Sequence, residues 1–245
     1  MKLLKISVVF LVTLCFIACN FTEEIHFNKN GSGKLSISMD GSEMMQMMPA
    51  SDSIGMEEKM DSTMVFKDLI REKKDSIALL SPEEQAAIKR LEPFSLHMLM
   101  DPEKGVMNFD MFTDFKDVSE VNDAFSAFQE ASSIGPKSNT GGMQAGPTGE
   151  ETQVNYSFNR NKFTRKIEIT DREAFQRSLD SLAGSEMFLG SSTYTFKYHF
   201  PKRVKATNVK DATFSMDGKT MIYEVNFLEI SKDPEAFLIE VELEK

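Results

Sequence analysis

Short segments of alternating apolar and polar residues recur along this chain, and several of them form pairs that flank turn-forming residues. Alternation with a period of two places the apolar side chains on one face of a strand, and Asn-Gly or Asp-Gly between two such strands favours a hairpin. Because hairpin strands are antiparallel and these strands bury one face, the sequence predicts an antiparallel sheet. The predicted hairpins are 23–28 with 34–39, 94–100 with 106–112, 152–158 with 163–169 and 212–216 with 220–228, and further strands are predicted over 193–200 and 236–243.

Helix signals lie between the predicted hairpins. Apolar residues recur at helical spacing near 62–79, and Ser81-Pro82 opens another segment with a capping serine and a proline at the first helical position. The capping boxes Asp117-Val-Ser-Glu120 and Thr170-Asp-Arg-Glu173 precede two further helical patterns. We therefore predict an α+β fold, with an antiparallel sheet built from successive β-hairpins and three to four amphipathic helices packed on one side.

The first 18 residues have the features of a bacterial export signal. Lys2 and Lys5 precede an uncharged run over 6–18, which is shorter than the roughly 20 apolar residues of a membrane-spanning helix. The run ends in Ala18-Cys19, which resembles the lipobox that bacterial lipoprotein signal peptidase recognises. We predict that residues 1–18 are a signal peptide, that cleavage falls between Ala18 and Cys19, and that Cys19 is acylated. An ordinary signal peptide or a buried thiol is the alternative.

Acylation of Cys19 with palmitate-type chains would anchor the mature protein to a membrane. Two or three acyl chains anchor a protein stably, whereas one acyl chain gives only marginal membrane binding. Asn20 follows, where an aspartate would retain an enterobacterial lipoprotein in the inner membrane. The outer membrane is therefore the predicted location, and the sequence does not determine whether the protein lies on its periplasmic or its surface face. Glu23 and Glu24 either belong to an acidic surface-export signal of Bacteroidota lipoproteins or simply open the first strand.

Charge and motif content narrow the function classes. Removal of residues 1–18 leaves 26 basic and 38 acidic residues, a net charge of −12, and no basic patch with interleaved aromatic residues remains, so we expect no nucleic-acid partner. His26, His97 and His199 each fall in a predicted strand, where a solvated side chain is the simplest interpretation. Because neither a nucleophile elbow nor a phosphate-binding glycine loop occurs, we expect no catalytic residues and no cofactor, and no ligand spacing predicts a metal site.

The mature chain is predicted to form one continuous domain. Its N-terminal hairpin and helix region covers 19–133 and contains a Met-rich segment over 40–61 that is polar enough to be interpreted as mobile. A flexible loop rich in Gly, Ser and Pro covers 134–150, and a C-terminal hairpin, helix and hairpin region covers 151–245.

Two groups of residues are candidates for contacting a hydrophobic ligand. The methionine cluster offers an adaptable apolar surface, or thioether ligands for a soft metal such as copper or silver, or plain packing. A row of aromatic residues shares one face of the strand predicted over 193–200, and its alternative is the core face of a central strand. These candidates are Met44, Met45, Met47, Met48, Tyr194, Phe196, Tyr198 and Phe200.

The segments 194–205 and 211–219 together look like the C-terminal module of flavobacterial-type Bacteroidota lipoproteins, in an arrangement similar to LppM-like lipid-binding lipoprotein domains. The resemblance covers the lipobox and the chain from about residue 194, and it implies lipid binding without assigning site residues. The predicted function is a membrane-anchored, non-enzymatic binding module for a lipid or other hydrophobic ligand in the cell envelope. A structural or assembly accessory that binds other envelope proteins is the alternative, and soft-metal handling by the Met-rich segment is a weaker one.

Overall fold

A computed structural model describes residues 20–47, 59–122, 151–182 and 186–245, together with Ala124 and Ala127. Its strands are β1 (Asn20–Phe27), β2 (Gly33–Asp40), β3 (Met60–Val65), β4 (Ser95–Asp101), β5 (Val106–Phe115), β6 (Thr152–Asn159), β7 (Lys162–Ile169), β8 (Thr193–His199), β9 (Val204–Thr207), β10 (Thr213–Phe214), β11 (Thr220–Asn226) and β12 (Ile239–Leu243). Its α-helices are α1 (Ser42–Met47), α2 (Phe66–Glu72), α3 (Lys74–Ile77), α4 (Pro82–Arg90), α5 (Arg172–Leu182), α6 (Glu186–Leu189) and α7 (Phe227–Lys232), and short 3₁₀ helices cover Val118–Val121 and Pro234–Ala236.

The described strands form two sheets rather than one. The larger has eight strands in the order β10-β11-β8-β1-β2-β5-β4-β3, and the smaller has four in the order β6-β7-β12-β9. The four predicted hairpins are confirmed as the pairs β1/β2, β4/β5, β6/β7 and β10/β11. Within the larger sheet, however, β1 and β8 are parallel, so the prediction of a purely antiparallel sheet is corrected to a mixed one.

The hydrophobic core lies between the two sheets. Phe163 of β7 packs against Phe27 of β1 and Tyr198 of β8, with ring centroids 5.4 and 5.0 Å apart. Val241 of β12 is also fully buried. The prediction that helices pack on one side of the sheet is therefore confirmed only in part, because Phe66 of α2 and Phe227 of α7 join the core but the smaller sheet also packs on the apolar face of the larger one. Alternation in β6, β7 and β12 creates a second apolar face, and two such faces bury most surface against each other.

The helix predicted near 62–79 begins at Phe66 instead, because Met60–Val65 forms an edge strand that pairs with β4. Met60–Val65 has no clear alternation of apolar and polar residues to indicate a strand, and the unpaired edge of β4 supplies the backbone partners that favour one. The helical part is divided at Lys73 into α2 and α3. The first strand of the fourth hairpin is also shorter than predicted, since β10 contains only Thr213 and Phe214.

The predicted helix caps have mixed outcomes. At α4 the predicted capping serine is confirmed, because the Ser81 hydroxyl accepts from the Glu84 amide at 3.2 Å. The Glu84 carboxylate also accepts from the Ser81 amide at 2.9 Å, which completes a capping box. At α5 the capping residue is Asp171 rather than Thr170, and its carboxylate accepts from the amides of Glu173 and Ala174. After Asp117, whose carboxylate caps the short 3₁₀ helix Val118–Val121, the described residues Ala124 and Ala127 are helical and fully buried.

The segments predicted to be mobile are only partly described. Asp40 ends β2, Ser42–Met47 forms the short helix α1, and Met60 and Asp61 belong to β3, so both ends of the predicted segment 40–61 are ordered. Residues 48–58 and the predicted loop 134–150 lie outside the described residues.

Candidate functional site

A cluster of polar side chains lies on the outer face of the larger sheet, opposite the core. Parallel pairing of β1 with β8 sets Glu24 beside Lys197 and His26 beside His199. Antiparallel pairing of β8 with β11 then sets Thr220 beside His199. Because side chains alternate across a strand, all five residues point to the same face. We call these five residues the outer-face cluster.

One carboxylate oxygen organises the outer-face cluster. Oε1 of Glu24 lies 2.6 Å from Nε2 of His199, 3.0 Å from Nε2 of His26 and 3.0 Å from Nζ of Lys197. The two imidazole rings are stacked, with centroids 3.8 Å apart and an angle of 5° between their planes. The hydroxyl oxygen of Thr220 lies 3.0 Å from Nδ1 of His199, on the far side of that ring from Glu24.

The electrostatics of the cluster favour a neutral imidazole beside an ionised carboxylate. Partial burial raises the pKa of Glu24, but hydrogen bonds from Lys197 and His199 outweigh it, and the pKa lies below its usual value. Partial burial lowers the pKa of His199, and the positive charges of His26 and Lys197 lower it further. The hydrogen bond to Glu24 offsets this only in part. The cluster thus presents two imidazole nitrogens and a carboxylate oxygen, a set of atoms that can bind a cation.

The aromatic row predicted as a ligand surface lies in the core. The side chains of Tyr194, Phe196 and Tyr198 are fully buried, and Phe200 is nearly so. Their rings pack on one another and on the smaller sheet, for example Phe200 on Phe163 with centroids 5.7 Å apart. This arrangement is that of the alternative interpretation, the core face of a central strand.

The same core face contains a buried ion pair that joins the two sheets. Nε of Arg165 in β7 lies 3.0 Å from each carboxylate oxygen of Glu23 in β1, and Nη2 lies 2.9 Å from Oε2. The hydroxyls of Tyr194 and Tyr198 donate to Glu23 at 3.0 and 2.5 Å. Both charged side chains are fully buried. Glu23 is therefore part of the core, whereas Glu24 lies on the outer face.

Burial and charge both act on the phenols of this ion pair. Burial raises the pKa of Tyr194 and Tyr198 well above the usual value, and the negative charge of Glu23 raises it further. Burial lowers the pKa of Arg165, but the charge of Glu23 more than compensates and the net shift is upward. The tyrosines thus remain neutral donors and Arg165 remains charged, which fits a role in stabilising the fold.

An apolar groove opens between α2, α3 and α4. Ile70, Ile77 and Ile88 are half-buried in it, and the polar side chains of Gln85, Lys89 and Glu92 stand at its rim. The groove is open to solvent rather than enclosed, and its volume of about 340 Å³ is at the small end of the range of ligand pockets. Leu79, which directly follows this region, is largely exposed. The groove lining is completed by Ala86.

The other predicted site residues are described only in part. Ala18, Cys19 and Met48 lie outside the described residues, so cleavage and acylation stay predictions. Met44 and Met47 belong to α1, as does Met45, whose side chain is half-buried. Soft-metal binding by these methionines also stays a prediction. The longest described helix has 11 residues, and none in the described part of the chain is long and apolar enough to cross a membrane.

Sequence reasoning did not group the residues of the outer-face cluster or the buried ion pair. Glu24 and His26 share one face of a predicted strand, which is a visible signal, but nothing local places His199 beside them. The buried pair leaves a clearer signal, because Glu23 and Arg165 occupy apolar-face positions of alternating strands. Opposite charges at inward positions of two strands suggest that they meet in the core.

Comparisons with known proteins give little further information. No protein-family model matches the chain, and no curated protein matches it. Among solved structures, the chain is similar to the folded domain of the LppM protein from Mycobacterium tuberculosis, determined by NMR. The match covers 92% of this chain and 89% of that domain, with 8% sequence identity and a TM-score of 0.36. A similarity of this size assigns neither a family nor a function, so the resemblance to Bacteroidota lipoproteins rests on the sequence pattern alone.

Proposed function

We propose that this chain is a membrane-anchored bacterial lipoprotein whose folded part is a non-enzymatic binding module for the acyl chain of an envelope lipid. The apolar groove between α2, α3 and α4 is the observation that carries the proposal. The lipobox at Ala18-Cys19 would hold the domain at a membrane, where lipids are the most abundant hydrophobic ligands.

The start of β1 supports a close attachment to the bilayer. β1 begins at Asn20, directly after the cysteine predicted to be acylated, so no flexible linker separates the anchor from the sheet. Asn20 pairs with Asp40, the last residue of β2, and with Thr193, the first residue of β8, so these three residues lie at the same end of the sheet. With acylated Cys19 in the membrane, this end of the sheet faces the bilayer.

The groove lies away from that end of the sheet. The amide of Phe66, the first residue of α2, donates to the carbonyl of Phe94, the residue before β4. The pairing of β4 with β5, of β5 with β2 and of β2 with β1 places Phe94 level with Ile25 of β1. Ile25 is five residues from Asn20, a distance of roughly 17 Å along a strand. A lipid whose acyl chain enters the groove would therefore be partly withdrawn from the bilayer, which favours lipid capture or transfer over additional anchoring.

Native mass spectrometry tests the ligand. The protein is isolated from its own host as a Cys19→Ala form behind a cleavable secretory signal peptide, so that no covalent acyl chain obscures the measurement. We expect a lipid adduct on the protein with the unaltered groove. We expect the Ile77→Asp protein to lack this adduct, because the substitution places a charge in the groove lining. Leu79→Asp is the matched control, because Leu79 is 88% exposed and does not line the groove. A clean apo mass, or equal adducts in both variants, contradicts the proposal.

A second candidate function, an accessory that binds another envelope protein, is supported by the turn between β10 and β11. Phe214 is 45% exposed and Met216 is fully exposed, so two large apolar side chains project from one hairpin. A photo-crosslinking amino acid at Met216, introduced into the anchored protein in its host, tests this function. One reproducible protein adduct supports the accessory role, and an absence of adducts contradicts it.

A further inference from the structure

We propose that Glu24, His26 and His199 form a binding site for a single zinc ion on the outer face of the larger sheet. This site is separate from the groove of the proposed function and does not depend on it. Each of the three residues offers one ligand atom, and these atoms all lie within 4.8 Å of one another. Two imidazoles and one carboxylate are a ligand set that zinc accepts, with a fourth position left for water.

The cluster must open and the imidazole rings must turn before the ion can be admitted. Zinc binds nitrogen and oxygen at about 2.0–2.2 Å, which places tetrahedral ligand atoms about 3.3 Å apart. The two Nε2 atoms now lie 3.0 and 2.6 Å from Oε1 of Glu24. To hold zinc, both Nε2 atoms would move a few tenths of an ångström away from Oε1. The two imidazole planes, which are now parallel within 5°, would also rotate so that both nitrogens point at the ion.

The surroundings of the cluster fix the orientation of one ligand. The Thr220 hydroxyl lies 3.0 Å from Nδ1 of His199 and can either accept from or donate to that nitrogen. Without the ion, Nε2 of His199 donates to Glu24; with zinc on Nε2 the proton would reside on Nδ1, where the Thr220 hydroxyl can accept it. All three ligands stand on central strands, β1 and β8, whose backbones are fixed on both sides by pairing.

Solvent reaches the site, which leaves room for the ion and its water. The side chain of His26 is 55% exposed, while those of Glu24 and His199 are about one-quarter exposed. Lys197 is the competitor for the carboxylate, because its ammonium group lies 3.0 Å from Oε1 of Glu24. Zinc would displace this ammonium group, so Lys197 is expected to lower the affinity. If the cluster served only as an ion pair, removal of Lys197 would take a partner from Glu24 and would not increase the affinity for zinc.

Metal titration of the full lipidated protein in detergent tests the site, with zinc competing against a chromophoric chelator near pH 7.5. We expect one zinc ion per chain. His26→Ala and His199→Ala are each expected to weaken binding by about 100-fold or more, and Thr220→Val by about 10-fold, as loss of an outer hydrogen-bond partner does. Lys197→Met is expected to strengthen binding several-fold.

His97→Ala is the matched control, because His97 also lies on a strand of this sheet and also contacts a carboxylate, Asp61, at 2.9 Å. It should leave zinc binding unchanged. Cobalt(II) added to the unaltered protein gives a readout that needs no variant, since a tetrahedral site produces strong visible absorption bands. Absence of those bands, equal binding in the His199→Ala and His97→Ala proteins, or weaker binding in Lys197→Met would each overturn the proposal.

Discussion

The buried pair of Glu23 and Arg165 should be the most sensitive single contact in the fold. In Glu23→Ala the guanidinium of Arg165 loses three close contacts to the carboxylate and remains in a core position with no solvent exposure. Removal of one partner from a buried ion pair costs about 3–5 kcal/mol of unfolding free energy. The hydroxyls of Tyr194 and Tyr198 lose their acceptor as well, which places the cost at the upper part of that range.

Urea denaturation followed by circular dichroism measures this cost. With a dependence of unfolding free energy on urea of about 2–3 kcal/mol per molar, a cost of about 4–5 kcal/mol should lower the midpoint of Glu23→Ala by about 1.3–2.5 M. Glu24→Ala is the matched control, since Glu24 is the next residue on the same strand but faces outward. It should cost less than about 1 kcal/mol, as partly exposed ion pairs do. Equal midpoint shifts for the two variants would refute the assignment of Glu23 to the core.

A double substitution separates the pair from the space that it fills. Glu23→Leu with Arg165→Met removes both charges while keeping most of the side-chain volume. Apolar replacement of a buried pair is often neutral or stabilising, so the double variant should be more stable than either single variant. Additive losses would instead show that the two residues act independently, contrary to their 2.9 Å contact.

Three further predictions concern local structure and are each checked by denaturation. Ser81→Ala removes the cap of α4 and should cost about 1 kcal/mol. Gly33→Ala should destabilise more than Gly31→Ala, because a Cβ at Gly33 would collide with neighbouring backbone and ring atoms whereas one at Gly31 meets nothing and suffers only from its positive φ. Hydrogen bonds from the Ile169 amide and from Arg172 lower the pKa of Glu235 in the folded protein. The ionised Glu235 therefore stabilises the fold at pH values above its pKa in the unfolded chain, and this stabilisation is lost as the pH falls through its pKa in the folded protein. Glu235→Gln should therefore be less stable than the unaltered protein at pH 7, and the difference should shrink as the pH is lowered below the usual glutamate pKa.

The hairpins and one helix cap could be predicted because their causes are local. Alternation over a few residues and turn-forming Gly or Asn residues determine which segments pair, and the hydroxyl of Ser81 reaches an amide three residues away. The edge strand β3 could not be predicted because Met60–Val65 lacks a clear alternation of apolar and polar residues, and only pairing with β4 makes this segment a strand. The division into two sheets was missed for a similar reason, since alternation shows that a face is apolar but not what covers it.

The site residues follow the same division. The lipobox at Cys19, the apolar face of the strand from Tyr194 and the shared face of Glu24 and His26 are properties of neighbouring residues, and the sequence by itself determines them. The position of His199 beside His26 depends on the parallel pairing of β1 with β8, strands far apart along the chain. The contact of Glu23 with Arg165 depends on the packing of one sheet on the other. Such contacts form only where distant segments bury apolar surface together, so the tertiary structure alone decides them.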